Sequence, residues 1–239
     1  MTPYLLIFLL GLSAPKLVPG TPGISLSFDE RWQRLEATPR LRGTGGVSSA
    51  VVIGHRNDEL YVLTSEHVTR KSSNFTLEFF DRATYPAIAR KVLYGSIIEE
   101  FPNPDFTILK FPAGGMEFPE VRLARLQDRP KRFPVDALTI GCTNGNTPTC
   151  EMTTITAKRL ARRLKDEDVA FFWETERIPI PGRSGGPIFD GAGRLIGICS
   201  ATTGGKGFYT HLDEILVGLK TKSLGWLTGE NLPEVRKNR

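Results

Sequence analysis

Short segments in which apolar and polar positions alternate, separated by glycine, proline and other turn residues, cover most of this chain. Such a pattern predicts β-strands joined by tight turns. The predicted strands lie at 44–54, 59–64, 75–79, 85–93, 106–111, 137–141, 152–157, 169–175 and 207–210, with a strand–turn–strand hairpin at 188–198. The 24 glycines and 17 prolines also favour short strands over long helices. The predicted class is therefore all-β, and 239 residues suffice for a sizeable core.

Two segments depart from this alternation. Apolar residues recur at helical spacing between residues 212 and 219, which predicts a short C-terminal helix. Residues 27–36 carry mixed charges and predict a short helix or a surface arm. Between the first two strands, residues 55–58 are predicted to form a turn.

The N-terminus carries an apolar run at residues 5–14 that is too short to span a bilayer comfortably. It is typical of the hydrophobic region of a secretory signal peptide, which we predict at residues 1–20 with cleavage between Pro15 and Thr21. The residues before it lack Lys and Arg, and a buried apolar strand is the alternative. The prediction is export to the periplasm or the extracellular space, with no stable membrane span after signal removal.

The charge balance is mildly basic, with 31 Lys and Arg against 26 Asp and Glu and a formal net charge of +5. This excess does not by itself indicate a nucleic-acid partner. A basic run at residues 158–165 lacks interleaved aromatic residues, so we interpret it as the solvated face of a hairpin. We predict no nucleic-acid partner, no cofactor and no metal.

Three cysteines allow at most one disulfide bridge within the chain. Cys142 and Cys150 flank a seven-residue segment, and a bridge between them would need a wide loop, which Pro148 could provide. A disulfide and a pair of reduced neighbours both remain open at this point. Cys199 follows an apolar strand and is predicted to be a small buried hydrophobic residue.

The strongest chemical signal is the stretch 181–187, which reads Pro-Gly-Arg-Ser-Gly-Gly-Pro. Its glycines and prolines specify sharply bent backbone around the single hydroxyl of Ser184. A serine nucleophile needs such a frame, because its oxygen must project while neighbouring N–H groups face a developing oxyanion. Ser184 is therefore the candidate nucleophile.

A base and an orienting acid are available upstream. His67 lies just after the apolar strand 59–64, and Asp105 lies at the head of the strand 106–111. With Ser184 they follow the order His, Asp, Ser. The segments around them resemble the L-T-x-x-H-V, D-x-A-x-L and G-x-S-G-G-P motifs of trypsin-like serine peptidases, most closely the bacterial HtrA/Deg-type branch. Thr107 stands where the second motif has alanine.

The resemblance covers about residues 43 to 216 and implies two packed six-stranded antiparallel β-barrels. Barrel one is expected at about 43–115 and barrel two at about 135–211, within a peptidase domain at 43–228. A linker or N-terminal arm is expected at 21–42 and a flexible tail at 229–239. Because little chain follows the predicted helix, we expect no PDZ module of the kind frequent in the HtrA branch.

The same resemblance implies a serine endopeptidase that acts on polypeptide substrates through an acyl-enzyme intermediate. Ser184 would be the nucleophile, His67 the base and Asp105 the orienting acid. The backbone N–H groups of Gly182 and Ser184 would form the oxyanion hole. The substrate pocket would be lined by residues around Ile178, Cys199 and Ala201, which lack a carboxylate and predict a preference for small or medium aliphatic residues.

One residue departs from the digestive enzymes of this family. Arg183 occupies the position of an acid that pairs there with a freed N-terminus, so that activation switch cannot operate here. Two alternatives remain. An α/β-hydrolase esterase also carries G-x-S-x-G, although Pro187 and the hairpin after Ser184 oppose the helix that it requires. A non-catalytic secreted binding protein could keep the same fold. His55 and His211 have no matching context and are predicted to be structural.

Overall fold

The structure, a computed structural model, describes residues 23–70, 72–162 and 168–228. Its first half is a seven-stranded antiparallel sheet. The strands are β1 (Arg40–Gly43), β2 (Gly46–Ser49), β3 (Val51–Arg56), β4 (Glu59–Thr64), β5 (Phe75–Phe79), β6 (Arg90–Phe101) and β7 (Phe106–Pro112). They lie in the order β2-β1-β5-β6-β7-β4-β3. Ala50 alone separates β2 from β3, so the two edges of the sheet are the arms of one bent segment and the sheet curls on itself.

The second half is a closed six-stranded antiparallel barrel. Its strands are β8 (Val135–Gly141), β9 (Thr149–Ala161), β10 (Ala170–Thr175), β11 (Pro187–Phe189), β12 (Leu195–Thr203) and β13 (Lys206–His211). They close in the order β10-β13-β12-β11-β8-β9. The predicted all-β fold of two packed barrels is thus confirmed, with the first barrel present as a curled sheet.

Among the described residues, three α-helices accompany the sheets: α1 (Phe28–Glu36), α2 (Glu66–Thr69) and α3 (Leu212–Thr221). The hydroxyl of Ser27 accepts from the Glu30 N–H at 3.2 Å while the Glu30 carboxylate accepts from the Ser27 N–H at 2.8 Å. This reciprocal capping explains why residues 27–36 form a helix rather than an arm. The predicted C-terminal helix is also confirmed, and its apolar stripe is buried.

The two halves share one apolar core. Val51 and Ile108 of the curled sheet belong to the same buried cluster as Trp173 and Ile198 of the barrel, and α3 adds Leu216 to it. A second cluster lies inside the curled sheet alone. Because burying apolar surface stabilises by about 25 cal/mol per Å², the shared core fixes how the halves meet. The side chains at the interface of the two halves are positioned by this packing.

Several predicted boundaries were wrong. The segment 44–54, predicted as one strand, forms β2 and β3, and the predicted linker at 21–42 contains α1 and the start of β1, with Ala37 between them buried in the core. The predicted turn at 55–58 is only two residues long, because Asn57 and Asp58 both adopt the left-handed conformation (φ 54° and 59°) that suits a tight hairpin. The predicted strand at 85–93 begins only at Arg90. The carboxylate of Asp81 accepts from the N–H and the hydroxyl of Thr84, both at 2.8 Å. These bonds hold residues 81–84 in a turn before the strand begins.

The predicted signal peptide at 1–20 and the predicted tail at 229–239 lie outside the described residues. Among the residues that the structure covers, no helix has both the length and the apolar character needed to cross a bilayer.

Candidate active site

His67 and Asp105 come together because the strands that precede and follow them are neighbours. β4 pairs with β7 in a register that sets Thr64 opposite Thr107, so the end of one strand lies beside the start of the other. His67 follows β4 in α2, and Asp105 precedes β7 in the left-handed conformation (φ 61°). The sheet register therefore brings the imidazole and the carboxylate to the same edge.

Thr107, which departs from the family motif, is accommodated at this edge. Its side chain is buried, and its hydroxyl lies 2.9 Å from the hydroxyl of Thr69 in α2. A buried hydroxyl is tolerated when it is hydrogen-bonded. The contact ties β7 to α2, the helix that carries His67.

The carboxylate of Asp105 is fully buried and holds the imidazole in one orientation. Its Oδ2 and Oδ1 lie 2.9 and 3.0 Å from Nδ1 of His67, and Oδ1 also accepts from the His67 backbone N–H at 2.9 Å. The hydroxyl of Ser200 donates to Oδ2 at 2.5 Å. Because a carboxylate accepts, Nδ1 carries the proton and Nε2 is left as an acceptor.

Nε2 of His67 faces the predicted nucleophile. It lies 3.0 Å from the hydroxyl oxygen of Ser184, within hydrogen-bond reach. Asp105, His67 and Ser184 thus form one continuous hydrogen-bonded chain that crosses from the curled sheet to the barrel. Among the predicted site residues, the structure brings these three into direct contact.

The loop around Ser184 is held in place by backbone hydrogen bonds from both halves. The Ser49 N–H donates to the carbonyl of Ser184 at 2.9 Å, and the Gly185 N–H donates to the carbonyl of Cys199 at 2.9 Å. Gly182 and Gly185 have φ values of 91° and 78°. A Cβ at Gly185 would lie 2.2 Å from the Thr64 hydroxyl oxygen, so only glycine fits this approach.

The peptide between Pro181 and Gly182 has a defined orientation. The carbonyl of Pro181 accepts from the Asn144 N–H at 2.7 Å. In a trans peptide the N–H points opposite to the carbonyl, so the Gly182 N–H points away from Asn144. Gly182, Ser184 and His67 line a cleft of about 340 Å³. Within the described part of the chain, neither the Gly182 nor the Ser184 N–H has a hydrogen-bond acceptor.

Sequence reasoning missed Ser200 and Ser49. Ser200 lies at a bulge in the pairing of β12 with β13, between Cys199 and Ala201. A bulge redirects a side chain, and here the hydroxyl reaches Asp105. Ser49 donates its hydroxyl to the Gly182 carbonyl and accepts from the Cys142 N–H, both at 2.8 Å. Neither role leaves a local signal, because both depend on contacts between distant parts of the chain.

The predicted pocket residues lie in different surroundings. Ile178 is 50% exposed, Ala201 is partly buried, and the Cys199 side chain belongs to the core. Burial raises the pKa of the Cys199 thiol to about 12. The main chain of Cys199 instead supports the nucleophile loop, since its N–H donates to the Gly186 carbonyl at 2.8 Å.

All three cysteines are free in the structure, so the open alternative at Cys142 and Cys150 resolves to reduced neighbours. The register of β8 with β9 pairs Cys150 with Ile140, which leaves Cys142 two residues further along. Such diagonal neighbours lie about 7–8 Å apart, beyond disulfide reach. Cys142 is buried and Cys150 is exposed.

Comparisons with known proteins find similar sequences and folds. A family model described as a trypsin-like peptidase domain matches residues 48–198. A probable periplasmic serine endoprotease, DegP-like, of Pseudomonas fluorescens Pf-5 is 29% identical over 185 residues, covering 76% of this chain and 35% of that protein. A protein of the same description from Chlamydia trachomatis serovar D is 26% identical over 190 residues, covering 80% and 34%. The chain therefore spans about a third of the length of these curated relatives.

Solved structures show the same fold. The active form of the Rv3671c protease from M. tuberculosis superposes with a TM-score of 0.66 at 18% identity, covering 87% of this chain and 92% of that one. The HtrA-type protease AlgW with a tripeptide gives a TM-score of 0.65 at 24% identity, covering 83% and 64%.

Proposed function

This chain belongs to the trypsin-like peptidase family, and on that premise we propose that it is a serine endopeptidase that cleaves polypeptides through an acyl-enzyme intermediate. The observation that carries the proposal is the continuous hydrogen-bonded chain from the buried Asp105 through His67 to Ser184. A nucleophile, a base and an orienting acid in this geometry are the parts that acyl transfer requires.

The mechanism follows from the atoms in contact. The Ser184 oxygen attacks the peptide carbonyl carbon while Nε2 of His67 takes the hydroxyl proton. The positive charge on the imidazolium is stabilised by Asp105, which keeps its own negative charge. The carbonyl oxygen becomes an oxyanion, and the N–H groups of Gly182 and Ser184 would donate to it.

The intermediate then collapses in two stages. The C–N bond breaks, and the leaving amine takes the proton from Nε2 of His67, which leaves an ester on Ser184. A water molecule next attacks the ester carbon while Nε2 accepts its proton. The imidazolium returns this proton to the Ser184 oxygen as the acid product departs, so the enzyme regains its starting state.

The two alternative functions fare differently. The all-β fold excludes an α/β-hydrolase, because Ser184 precedes strand β11 rather than a helix. A displaced oxyanion loop, the segment 181–184 that carries the Gly182 and Ser184 N–H groups, would support a non-catalytic binding protein. The orientation of the Pro181 carbonyl, which directs the Gly182 N–H away from Asn144, favours the enzyme instead.

Reaction of Ser184 with a fluorophosphonate probe tests the proposal. The parent protein should be labelled at Ser184 and should hydrolyse peptides. Ser184→Ala and His67→Ala should each lower kcat by several orders of magnitude, and the double variant should lose little more, because the residues act as a unit. His55→Ala is the matched control, since His55 is exposed and lies outside the site. Peptide hydrolysis by Ser184→Ala at the parent rate would refute the mechanism.

We also propose a preference for small or medium aliphatic residues before the scissile bond. The Cys199 side chain lies in the core and drops out of the predicted pocket. The remaining pocket residues, Ile178 and Ala201, supply no carboxylate, and a desolvated Lys or Arg must be paired. Because a methylene changes discrimination by only about 1–3 kcal/mol, the preference should be broad. Profiling with a peptide library measures it directly, and dominant cleavage after Lys or Arg would contradict the assignment.

Export is proposed from the apolar run at residues 5–14 and from relatives that are named periplasmic. Mass spectrometry of the protein purified from its native host should find an N-terminus between Pro15 and Thr21. A mature protein that retains Met1 would overturn this proposal.

A further inference from the structure

Arg183, the residue directly before the proposed nucleophile, has a buried side chain that is only 2% exposed. Burying a guanidinium is costly unless hydrogen bonds and an opposite charge compensate it. The contacts of this side chain must therefore stabilise a charge inside the protein.

The guanidinium contacts one structural unit, which is the β8–β9 hairpin with its connecting turn at 142–148. Nη2 donates to the Thr139 hydroxyl at 3.0 Å. Nη1 lies 3.1 Å from the carboxylate of Glu151, which supplies the opposite charge. Nη1 and Nη2 also lie within 3.5 Å of four further oxygens of the same unit, those of the Gly141 carbonyl, the Thr143 hydroxyl, the Thr149 carbonyl and the Thr149 hydroxyl.

This hairpin is also the unit that orients the oxyanion loop. Its turn contains Asn144, whose N–H holds the carbonyl of Pro181 at 2.7 Å. It also contains Cys142, whose N–H donates to the Ser49 hydroxyl, which in turn donates to the Gly182 carbonyl. The peptides on both sides of Gly182 are thus fixed by contacts that depend on the position of this turn.

Rotation of the Pro181–Gly182 peptide would turn the Gly182 N–H away from the cleft. That rotation requires the Asn144 bond to break, and Arg183 opposes it because its guanidinium holds the turn against the loop. Arg183 and Glu151 both belong to the barrel, so their contact forms as the barrel folds and needs no freed N-terminus.

We propose that Arg183 is a positioning residue that, through its buried contacts with the β8–β9 hairpin, holds the Gly182 N–H in the orientation in which it donates to the oxyanion. The inference rests on the proposed peptidase function. It assigns to a buried cation the task that the digestive enzymes give to an acid and a new N-terminus.

Kinetics of Arg183→Met and Arg183→Lys test this role. Loss of one oxyanion donor lowers kcat by about 10²–10³-fold, so Arg183→Met should show a loss of this size with KM changed less than about threefold. Arg183→Lys keeps the charge but lacks the forked donors, and should recover part of the loss. A peptide aldehyde, whose adduct carries an oxyanion, should bind Arg183→Met weakly, while a non-reactive peptide of the same sequence should bind normally.

Arg159→Met is the matched control, because Arg159 also pairs with a glutamate of the barrel (2.7 Å to Glu174) but lies exposed and far from the loop in sequence. Its kcat should equal that of the parent. A folded Arg183→Met with parental kcat would overturn the proposal. If Arg183→Met does not fold, Arg183→Lys decides: a loss of at least about tenfold in kcat supports the role, and a smaller loss overturns it.

The parent protein separates this inference from the function on which it rests. If the fluorophosphonate fails to label Ser184 in the parent, the peptidase proposal itself fails. If the parent is labelled and active while the Arg183 variants match it, only the positioning role fails.

Discussion

Acidification should destabilise the fold through His211, which is not part of the candidate catalytic chain. The side chain is fully buried, and its Nδ1 accepts from the Asp213 N–H at 2.9 Å, which caps the start of α3. The imidazole packs against Trp173 with 3.8 Å between ring centroids. An accepting Nδ1 requires a neutral ring, so protonation would break the cap and place a cation at a helix N-terminus.

The pKa of His211 reflects this environment. Desolvation by burial lowers it most, the nearby Asp213 raises it, Lys158 and Arg129 lower it, and the resulting pKa is about 3. Between about pH 6.5 and pH 3 the unfolded chain therefore binds a proton that the native protein excludes. The contribution of neutral His211 to the free energy of unfolding is fully present above the unfolded-state pKa and declines as the pH falls below it. At about 1.4 kcal/mol per pH unit, His211 should cost roughly 3 kcal/mol at pH 4 relative to pH 7.

Urea unfolding of the parent and of His211→Asn at pH 7, 6, 5 and 4 measures this contribution. Asparagine retains a capping oxygen but does not titrate. The variant should be less stable than the parent at pH 7, and its free energy of unfolding should fall less steeply with acid. Carboxylates contribute equally to both proteins, so the difference in slope isolates His211. Parallel curves would refute the reasoning, and His55→Asn, at an exposed position, should follow the parent.

The remaining predictions concern Ser200 and the cysteines. Ser200→Ala removes the hydroxyl that donates to Asp105 at 2.5 Å. In peptide hydrolysis this change should lower kcat about tenfold, which corresponds to about 1.4 kcal/mol, and leave KM unchanged. A parental kcat would show that the hydroxyl is dispensable. In the native protein iodoacetamide should modify Cys150 first, because it is exposed whereas Cys142 and Cys199 are buried. Burial raises the pKa of all three thiols, that of Cys142 to about 11 and that of Cys199 to about 12. Peptide mass mapping tests this, and equal labelling of Cys142 would contradict the packing.

The parts of the site that could be predicted from sequence are those with a local signature. His67 and Asp105 each lie at a strand boundary that alternation reveals, and the glycines around Ser184 mark the bent loop. The strand pattern also gave the all-β class. The arrangement of the strands into two packed barrels was predicted from the resemblance to trypsin-like serine peptidases, because alternation does not specify which strands are neighbours.

The supporting contacts could not be predicted, since they join distant segments. Ser200 reaches Asp105 across 95 positions, and Ser49 reaches Gly182 across 133. Both depend on how the barrel meets the curled sheet, and Ser200 also depends on a bulge that interrupts the register. The burial of the Arg183 side chain could not be predicted from the sequence either, because an arginine in a glycine-rich loop is ordinarily solvated.

The division of the site between the two halves has a consequence for synthesis of the protein. The curled sheet leaves the ribosome first, carrying His67 and Asp105, whereas Ser184 follows 117 positions after His67. Contacts of such long range form late in folding. A growing chain therefore holds a base and an acid without a nucleophile. On the proposed function, peptide cleavage requires the barrel to have folded against the curled sheet, so an incompletely synthesised chain cannot cleave its neighbours.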